Sequence, residues 1–548
     1  MATTYDAVVI GSGFGGAVAA CRLAQADCAV TVIERGRRYD RNSFPRDWKD
    51  PAAGWLWQVG QGLFELKHFS QMMVVQGAGL GGGSLIYANV HLRAPHEVFQ
   101  NGWPTGYNRQ LLDPYYDLVA YMLDIKPITA SKFLGMPAKT ILMQRIAAAM
   151  GRSAQFCLPN IAVDFGEPQA PHLNKFGALQ EGCRYCGECD IGCNYHAKNT
   201  LDLNYLKIAQ DKGARIETQC EVTRIEQTVD GGYRVHFTDY RDNGTPRELN
   251  ARYAFLCAGA VNSTELLLRC RDQFRTLPHL SSRLGANYSG NGDFLAFAFN
   301  TREPFKPSEG PTITSGIVNA RGDGQPNIWF IVEEGGYPSQ IGSLLQILNP
   351  GNKLLAGVRT LSRFDLDEVL RRNAPIPGPH PDAEHSAVFL AMGRDQANGR
   401  LALHPLTFAL EVQWDVQANM PLYDAETAFV KALAQAMGGK AAFNPFWELL
   451  HIPVTVHNLG GCPLAESPAS GVLTPDGEVF GYPGLFVLDG AAIPVAIGAN
   501  PSHTIAAVAE RNIERAIRRI TRNEKWEAPE RALASPVTDP LSDIVLRP

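Results

Sequence analysis

No apolar stretch of about 18 or more residues runs through the 548-residue chain without charge, Pro or Gly, so no spanning helix is expected. Neither sign of charge dominates. Fifty Lys+Arg against 55 Asp+Glu leave a formal −5, and nothing so nearly balanced calls for a nucleic-acid partner. Internal repeats and low-complexity tracts are lacking, and 45% hydrophobic with 19% charged residues exclude a disordered chain, a fibre or a coiled coil. Met1-Ala2-Thr3-Thr4 lacks a basic leader and a strand is expected almost at once, so the predicted compartment is cytoplasmic. Cysteine is not scarce, but its number is odd, at 11. With no secretion signal expected, thiols or a metal site are favoured over a disulfide framework. The length fits three or four units, or a large two-domain enzyme.

What is present begins at the N-terminus. The apolar run Tyr5-Asp6-Ala7-Val8-Val9-Ile10 suits a buried parallel strand. It leads into Gly11-Ser12-Gly13-Phe14-Gly15-Gly16, a helix over Ala17 to Gln25, a second strand at Ala29–Ile33, and then Glu34-Arg35. Gly11 permits the tight turn, Gly13 lets a pyrophosphate approach the backbone, and Gly16 lets helix and strand pack closely. The unpaired N–H groups of the helix start favour the phosphates. Glu34, 18 residues after Gly16, is placed to accept from an adenosine ribose and argues against a 2′-phosphate, so FAD or NAD is favoured over NADP. Gly11, Gly13, Phe14, Gly15, Gly16, Glu34 and Arg35 are the candidate cofactor contacts here.

A second glycine cluster spans Gly77 to Gly83 and runs on through Ser84-Leu85-Ile86-Tyr87-Ala88-Asn89. So many glycines imply backbone lying against something flat or charged. Gly77, Gly81, Gly82, Gly83, Ser84, Tyr87, Ala88 and Asn89 are candidates on that ground. Near the other end stand His457-Asn458-Leu459-Gly460-Gly461, a strand ending in Asp489-Gly490, and Asn500-Pro501 before an amphipathic helix from about Ser502 to Ile520. That helix aims free N–H groups at whatever is bound there, which adds Asp489, Gly490, Asn500, Pro501 and Thr504.

These motifs, with Ala254–Ser263, resemble the glucose–methanol–choline (GMC) flavoprotein oxidoreductases, most closely their bacterial cholesterol-oxidase-like branch. The resemblance implies FAD and an α/β fold. A discontinuous Rossmann-like FAD domain (1–100, 196–293, 452–526) is expected beside an α+β antiparallel-sheet substrate domain (101–195, 294–451) and a surface tail (527–548). It implies that Val222, Ala258 and Gly259 touch the cofactor, that His457 meets a substrate hydroxyl, and that Asn500 is its partner at the flavin edge. Histidine suits the proton task with an unperturbed pKa near 6.5. Asn458 stands where the branch usually has proline, which frees the chain around His457. Glu333, preferred over Glu334, matches a base that can also move a double bond, and a solvated turn is the other reading of that acid pair. His91 is a conceivable site of covalent flavin attachment. The implied reaction takes a hydride from a hydroxyl-bearing carbon to flavin N5, the alcohol being a sterol or another bulky apolar one, with oxygen or another acceptor reoxidising the flavin. Two alternatives stand beside it: a cluster-bearing dehydrogenase of a polyol or sugar, and a flavin-binding isomerase or binding module without net turnover.

Cys183, Cys186, Cys189 and Cys193 have the spacing C-x2-C-x2-C-x3-C of bacterial ferredoxins. An iron–sulfur cluster, a structural thiol loop and zinc all remain open, because Asn194 replaces the usual proline and no second cysteine run exists. Cys21, Cys28, Cys220, Cys257 and Cys270 read as core filler. Helices are expected near 108–125 and up to Asp211, and strands at 215–217, 221–225, 235–237, 254–256, 294–297 and 387–390. Two further helical stretches, 343–348 and 362–372, are candidates to line an apolar pocket, while Leu354, Leu355, Leu361 and Phe364 read equally as plain core.

Overall fold

The alternation of Thr4–Ile10 shows how the layers form. Ala7 and Val9 point to one face of the strand and pack with helices, while Val8 and Ile10 point to the other, and all four are buried. In the computed structural model, which describes residues 4–47, 54–319, 328–342 and 380–545, this strand lies inside a seven-stranded sheet. It pairs in parallel with Val30–Ile33 on one side and with Thr245–Leu256 on the other. Arg215–Glu217 extends the sheet in parallel beyond Val30–Ile33. The long strand Thr245–Leu256 serves two partners. Its second half also takes Leu485–Val487 in parallel, while Tyr233–Asp239 and then Cys220–Gln227 continue antiparallel from its first half. The loops after Ile10, Ile33, Leu256 and Val487 therefore all leave the carboxyl edge of parallel strands, where such sheets bind ligands.

On the outer face, helix Phe14–Gln25 packs against Tyr205–Asp211 and Ser502–Thr521. Ala506, Ala509, Ile513 and Ile517 form the buried stripe of the last of these helices. Arg22 on the first helix and Glu510 on the last form a buried ion pair at 2.7 Å, and Tyr205 Oη donates to Glu510 at 2.8 Å. Removing one partner of such a pair leaves a buried charge and costs about 3–5 kcal/mol.

A six-stranded antiparallel sheet forms the second layer, in the order Lys440–Phe443, Phe294–Phe299, Ala387–Gly393, Phe330–Glu334, Gly316–Asn319, Phe156–Cys157. Helices Ala138–Ala149 and Val416–Ala436 cover its far side through Phe330, Val332 and Phe389. Ile331 and Met392 face the first sheet and share a core cluster with Val8 and Ile10. A small three-stranded sheet joins Val454–Thr455 to Met73–Gly77 and Phe64–His68, bringing the second glycine cluster beside the segment before His457.

The expected strands and helices form, with Phe14–Gln25 beginning at the glycine turn itself. The tail departs from expectation. Asp539 pairs with Arg109 at 2.9 Å, Val537 O accepts from Arg93 at 3.0 Å, Glu530 pairs with Arg22, and Leu541 is buried. Those three arginines are almost wholly buried, and the tail supplies oxygens that water cannot. Segments 343–348 and 362–372, with Leu354, Leu355, Leu361 and Phe364, lie outside the described residues. Among the described residues no helix is long and apolar enough to cross a membrane.

Candidate functional site

Close backbone approach builds the first wall. Gly11 has φ +92°, and a Cβ there would stand 2.4 Å from Cys257 O. A Cβ on Gly16 would meet Gly11 O at 2.0 Å, which is the helix-to-strand contact. Gly13 begins helix Phe14–Gln25 with no side-chain cap and no acid in the first turn, so its N–H groups face outward unneutralised. The second glycine cluster lies directly against this turn, since a Cβ on Gly82 would come 2.6 Å from Gly13 Cα and one on Gly77 2.9 Å from Gly82 O. Gly81 starts the 3-10 turn Gly82–Leu85, which Ser84 Oγ closes by donating to Gly81 O, and Gly83 has open space beside it.

Ser12, absent from the expected set, joins these pieces. Its Oγ donates to Glu34 Oε2 at 2.6 Å and accepts from Gly81 N at 3.0 Å. Glu34 also accepts from Ser12 N and Gly36 N, leaving lone pairs for a ribose. Its neighbour Arg35 turns to Glu65 at 2.6 Å and stacks over Trp57. Val222 sits at a bulge in strand Cys220–Gln227.

At the carboxyl edge of the long strand, Gly259 N donates to Asp489 Oδ2 at 2.8 Å, and Ala258 N to Ser263 Oγ at 2.9 Å. Asp489 Oδ1 also caps the turn starting at Gly490, and burial raises its pKa above the ordinary carboxylate value. Pro501 precedes helix Ser502–Thr521 with no side-chain cap, and Thr504 Oγ bonds Tyr116 Oη at 2.8 Å. Phe14, Tyr87 and His91 meet edge to face between the first two walls. Burial drives His91 well below its ordinary pKa, so it is neutral.

Several buried polar atoms here have no partner: both amide atoms of Asn89, His91 Nδ1, Asn500 Oδ1 and Glu333 Oε1. An unsatisfied buried polar group costs about 1–3 kcal/mol. Beside glycine-lined backbone, an uncapped helix start and an acid suited to a ribose, these atoms fit a flavin dinucleotide.

His457 is held more firmly than its neighbouring Asn458 suggested. Its Nδ1 donates to Asp293 Oδ1 at 2.8 Å, and its backbone N–H and that of Val456 reach Asp293 Oδ2 at 3.2 and 2.9 Å. Asn458 Oδ1 accepts from Tyr288 Oη, so the side chain in place of proline is itself an anchor. With Nδ1 committed to a buried carboxylate, Nε2 is left as the free nitrogen. Asp293 was not singled out from the sequence; its only signal was the Ser289-Gly290-Asn291-Gly292-Asp293 turn composition. In the same turn, Asn291 Nδ2 donates to Ala499 O, while its Oδ1 accepts from Ile497 and Gly498 N–H. One turn thus holds both the His457 segment and the Asn500 segment.

Asn500 Nδ2 donates to Glu333 Oε2 at 3.1 Å. Glu333 is fully buried, and burial pushes its pKa up to about 8 against the bond from Asn500. Glu334 points the opposite way, toward buried Lys139 at 3.1 Å. Strand alternation thus separates the two acids.

The cysteine loop lies behind the second glycine cluster. Cys183, Cys186, Cys189 and Cys193 all line one cavity and none is in a disulfide. Lys198 Nζ, fully buried, donates to Cys189 O at 2.7 Å, Leu85 O at 2.8 Å and Tyr87 O at 3.1 Å. Among the described residues no three or more His, Cys, Asp or Glu side chains converge on a single ion.

Residues 5–270 and 415–509 match the two family models described as GMC oxidoreductase. A cholesterol oxidase of Acinetobacter baumannii is 29% identical over 535 residues, covering 92% of this chain and 93% of that protein. A cholesterol oxidase of Mycobacterium tuberculosis is 29% identical over 546 residues, covering 93% and 91%. A long-chain-alcohol oxidase of Arabidopsis thaliana is 23% identical, covering 92% of this chain and 66% of that one. Among solved structures, a fungal aryl-alcohol oxidase aligns with a TM-score of 0.59 at 16% identity, covering 94% of this chain and 99% of its own.

Proposed function

From the premise that this chain belongs to the GMC oxidoreductase family and is an FAD-dependent alcohol oxidoreductase, we propose that its substrate is a sterol or another bulky apolar alcohol. The bound flavin supplies the hydride acceptor. The observation that carries the reading is the His457–Asp293 bond, which leaves Nε2 free to take the hydroxyl proton as the carbon gives up its hydride. Asn500, placed by Glu333, contributes a second polar contact, and its unpartnered Oδ1 can accept from a substrate or cofactor donor. Glu333, a buried acid with one free oxygen, is the group we assign to proton shuttling in a double-bond shift after oxidation. Relatives named for cholesterol and long-chain alcohols support an apolar substrate body.

The test is anaerobic bleaching of the flavin against a panel of sterols, long-chain alcohols, polyols and sugars, followed by readmission of air. Bleaching by sterols or long-chain alcohols is expected. Selective bleaching by polyols or sugars would overturn the substrate assignment, and no bleaching by any alcohol would overturn the reaction.

A further inference from the structure

We propose that the loop from Cys183 to Cys193 binds a four-iron cluster through its four thiolates, and that this cluster carries electrons singly from the flavin site to an external one-electron acceptor. The proposal rests on the alcohol-oxidising reading and adds the route by which electrons leave.

The spacing alone permits such wrapping; the fold supplies the rest. All four cysteines border a single cavity, with Val163 and Ala197 as apolar lining. A cluster differs from a single ion because each thiolate bonds its own iron, so the four sulfurs stand around a core rather than converging on a point. Positive φ at Tyr185, Gly187, Gly192 and His196 lets the chain turn sharply at four places. Backbone N–H groups of Tyr185, Glu188 and Tyr195 lie against the sulfurs of Cys183, Cys186 and Cys193 respectively, the donors that tune such clusters. The departure at Asn194 has a use, since its Oδ1 accepts from Phe44 N at 3.0 Å and its carbonyl from Asn42 N at 3.1 Å. Arg46 grips the Ile191 and Gly192 carbonyls at 3.1 and 2.7 Å. These ties hold the loop with no disulfide.

The loop is also well placed. Lys198 joins the Cys189 carbonyl to the carbonyls of Leu85 and Tyr87, so the cavity shares a wall with the second glycine cluster. The cysteines are mostly buried yet not sealed from solvent, which leaves an outer side for an acceptor. The balance is complete with an oxidised haem-type acceptor: the alcohol loses its C–H and O–H hydrogens and becomes a carbonyl. Two electrons pass to two acceptors in succession, and two protons go to water.

The test uses the full-length holoenzyme purified without oxygen. About four iron and about four labile sulfide per chain are expected, with a paramagnetic signal that grows when an alcohol is added. Cys186→Ser and Cys193→Ser should each lose most of the iron and slow turnover with ferricenium by about tenfold or more, while alcohol still bleaches the flavin. Iron and sulfide that stay absent after reconstitution with ferrous iron and sulfide would overturn the proposal. So would stoichiometric zinc, paired disulfides, or a cluster that stays oxidised while the flavin is bleached. Failure of every alcohol to bleach the flavin sinks the reaction instead, and the iron count reads separately from it.

Discussion

At the scale of the residue, the decisive contact is one carboxylate gripping one imidazole. Asp293 accepts from His457 Nδ1, from two backbone N–H groups and from Thr455 Oγ at 3.0 Å, so it positions the ring and selects the tautomer. His457→Ala should leave flavin bound and slow its reduction by alcohol about 10²–10⁴-fold, the usual worth of a general base. Asp293→Asn should slow the same step and alter its pH profile with flavin content unchanged. Stopped-flow bleaching across pH separates this from a structural role, because an unaltered profile would leave Asp293 as scaffold only. Glu333 carries a second prediction. Its pKa of about 8 stands above the ordinary 4.5, so the unfolded chain releases this proton first. Its contribution is whole below the unfolded value and is lost as pH rises through about 8. Glu333→Gln keeps an acceptor for Asn500 and should flatten the fall in stability between those values. Denaturant unfolding across that range measures it, and an unchanged slope would place the titration elsewhere. Glu426, buried with neither oxygen partnered and pushed well above its ordinary pKa by burial, is neutral in the same neighbourhood.

At the scale of the element, the first strand–turn–helix unit separates folding from binding. A Cβ on Gly13 meets nothing nearer than 4.0 Å, whereas one on Gly16 meets backbone at 2.0 Å. Gly13→Ala should therefore fold with ordinary circular dichroism yet bind flavin at least about tenfold more weakly, since its methyl occupies the pyrophosphate approach. Gly16→Ala should fail at folding, because two backbones would have to part. A flavin-to-protein ratio near that of the parent in purified Gly13→Ala would show that the dinucleotide does not pass that turn. The sequence pattern reached these elements almost residue by residue. Glycine turns, alternating strands and a helical stripe are local devices, and the same backbone geometry follows wherever they occur.

At the scale of the molecule, two sheets face one another across a shared core, and the tail straps the outer helices. Asp539→Ala removes one of two carboxylates on buried Arg109 and should cost about 1.5–3 kcal/mol. Thermal or denaturant melts measure that loss, and an unshifted transition would return the tail to a surface role. Sequence reading missed the strap because Pro and polar residues look alike whether they face water or buried arginines. It preferred Glu333 to Glu334 by resemblance. In the sheet, strand alternation sends Glu333 to Asn500 and Glu334 to Lys139.

What the sequence determined by itself was local: the dinucleotide turn, the strand and helix periods, and the cysteine spacing. Each depends on residues within a few positions of one another, where covalent geometry already restricts the outcome. Only the tertiary structure decided that Asp293 holds His457 across 164 residues, that Ser12 joins Glu34 to the second glycine cluster, and that Lys198 joins the cysteine loop to it. Those pairings follow from strand register and layer packing, which no single segment encodes, because each strand reaches its place only through partners far away along the chain.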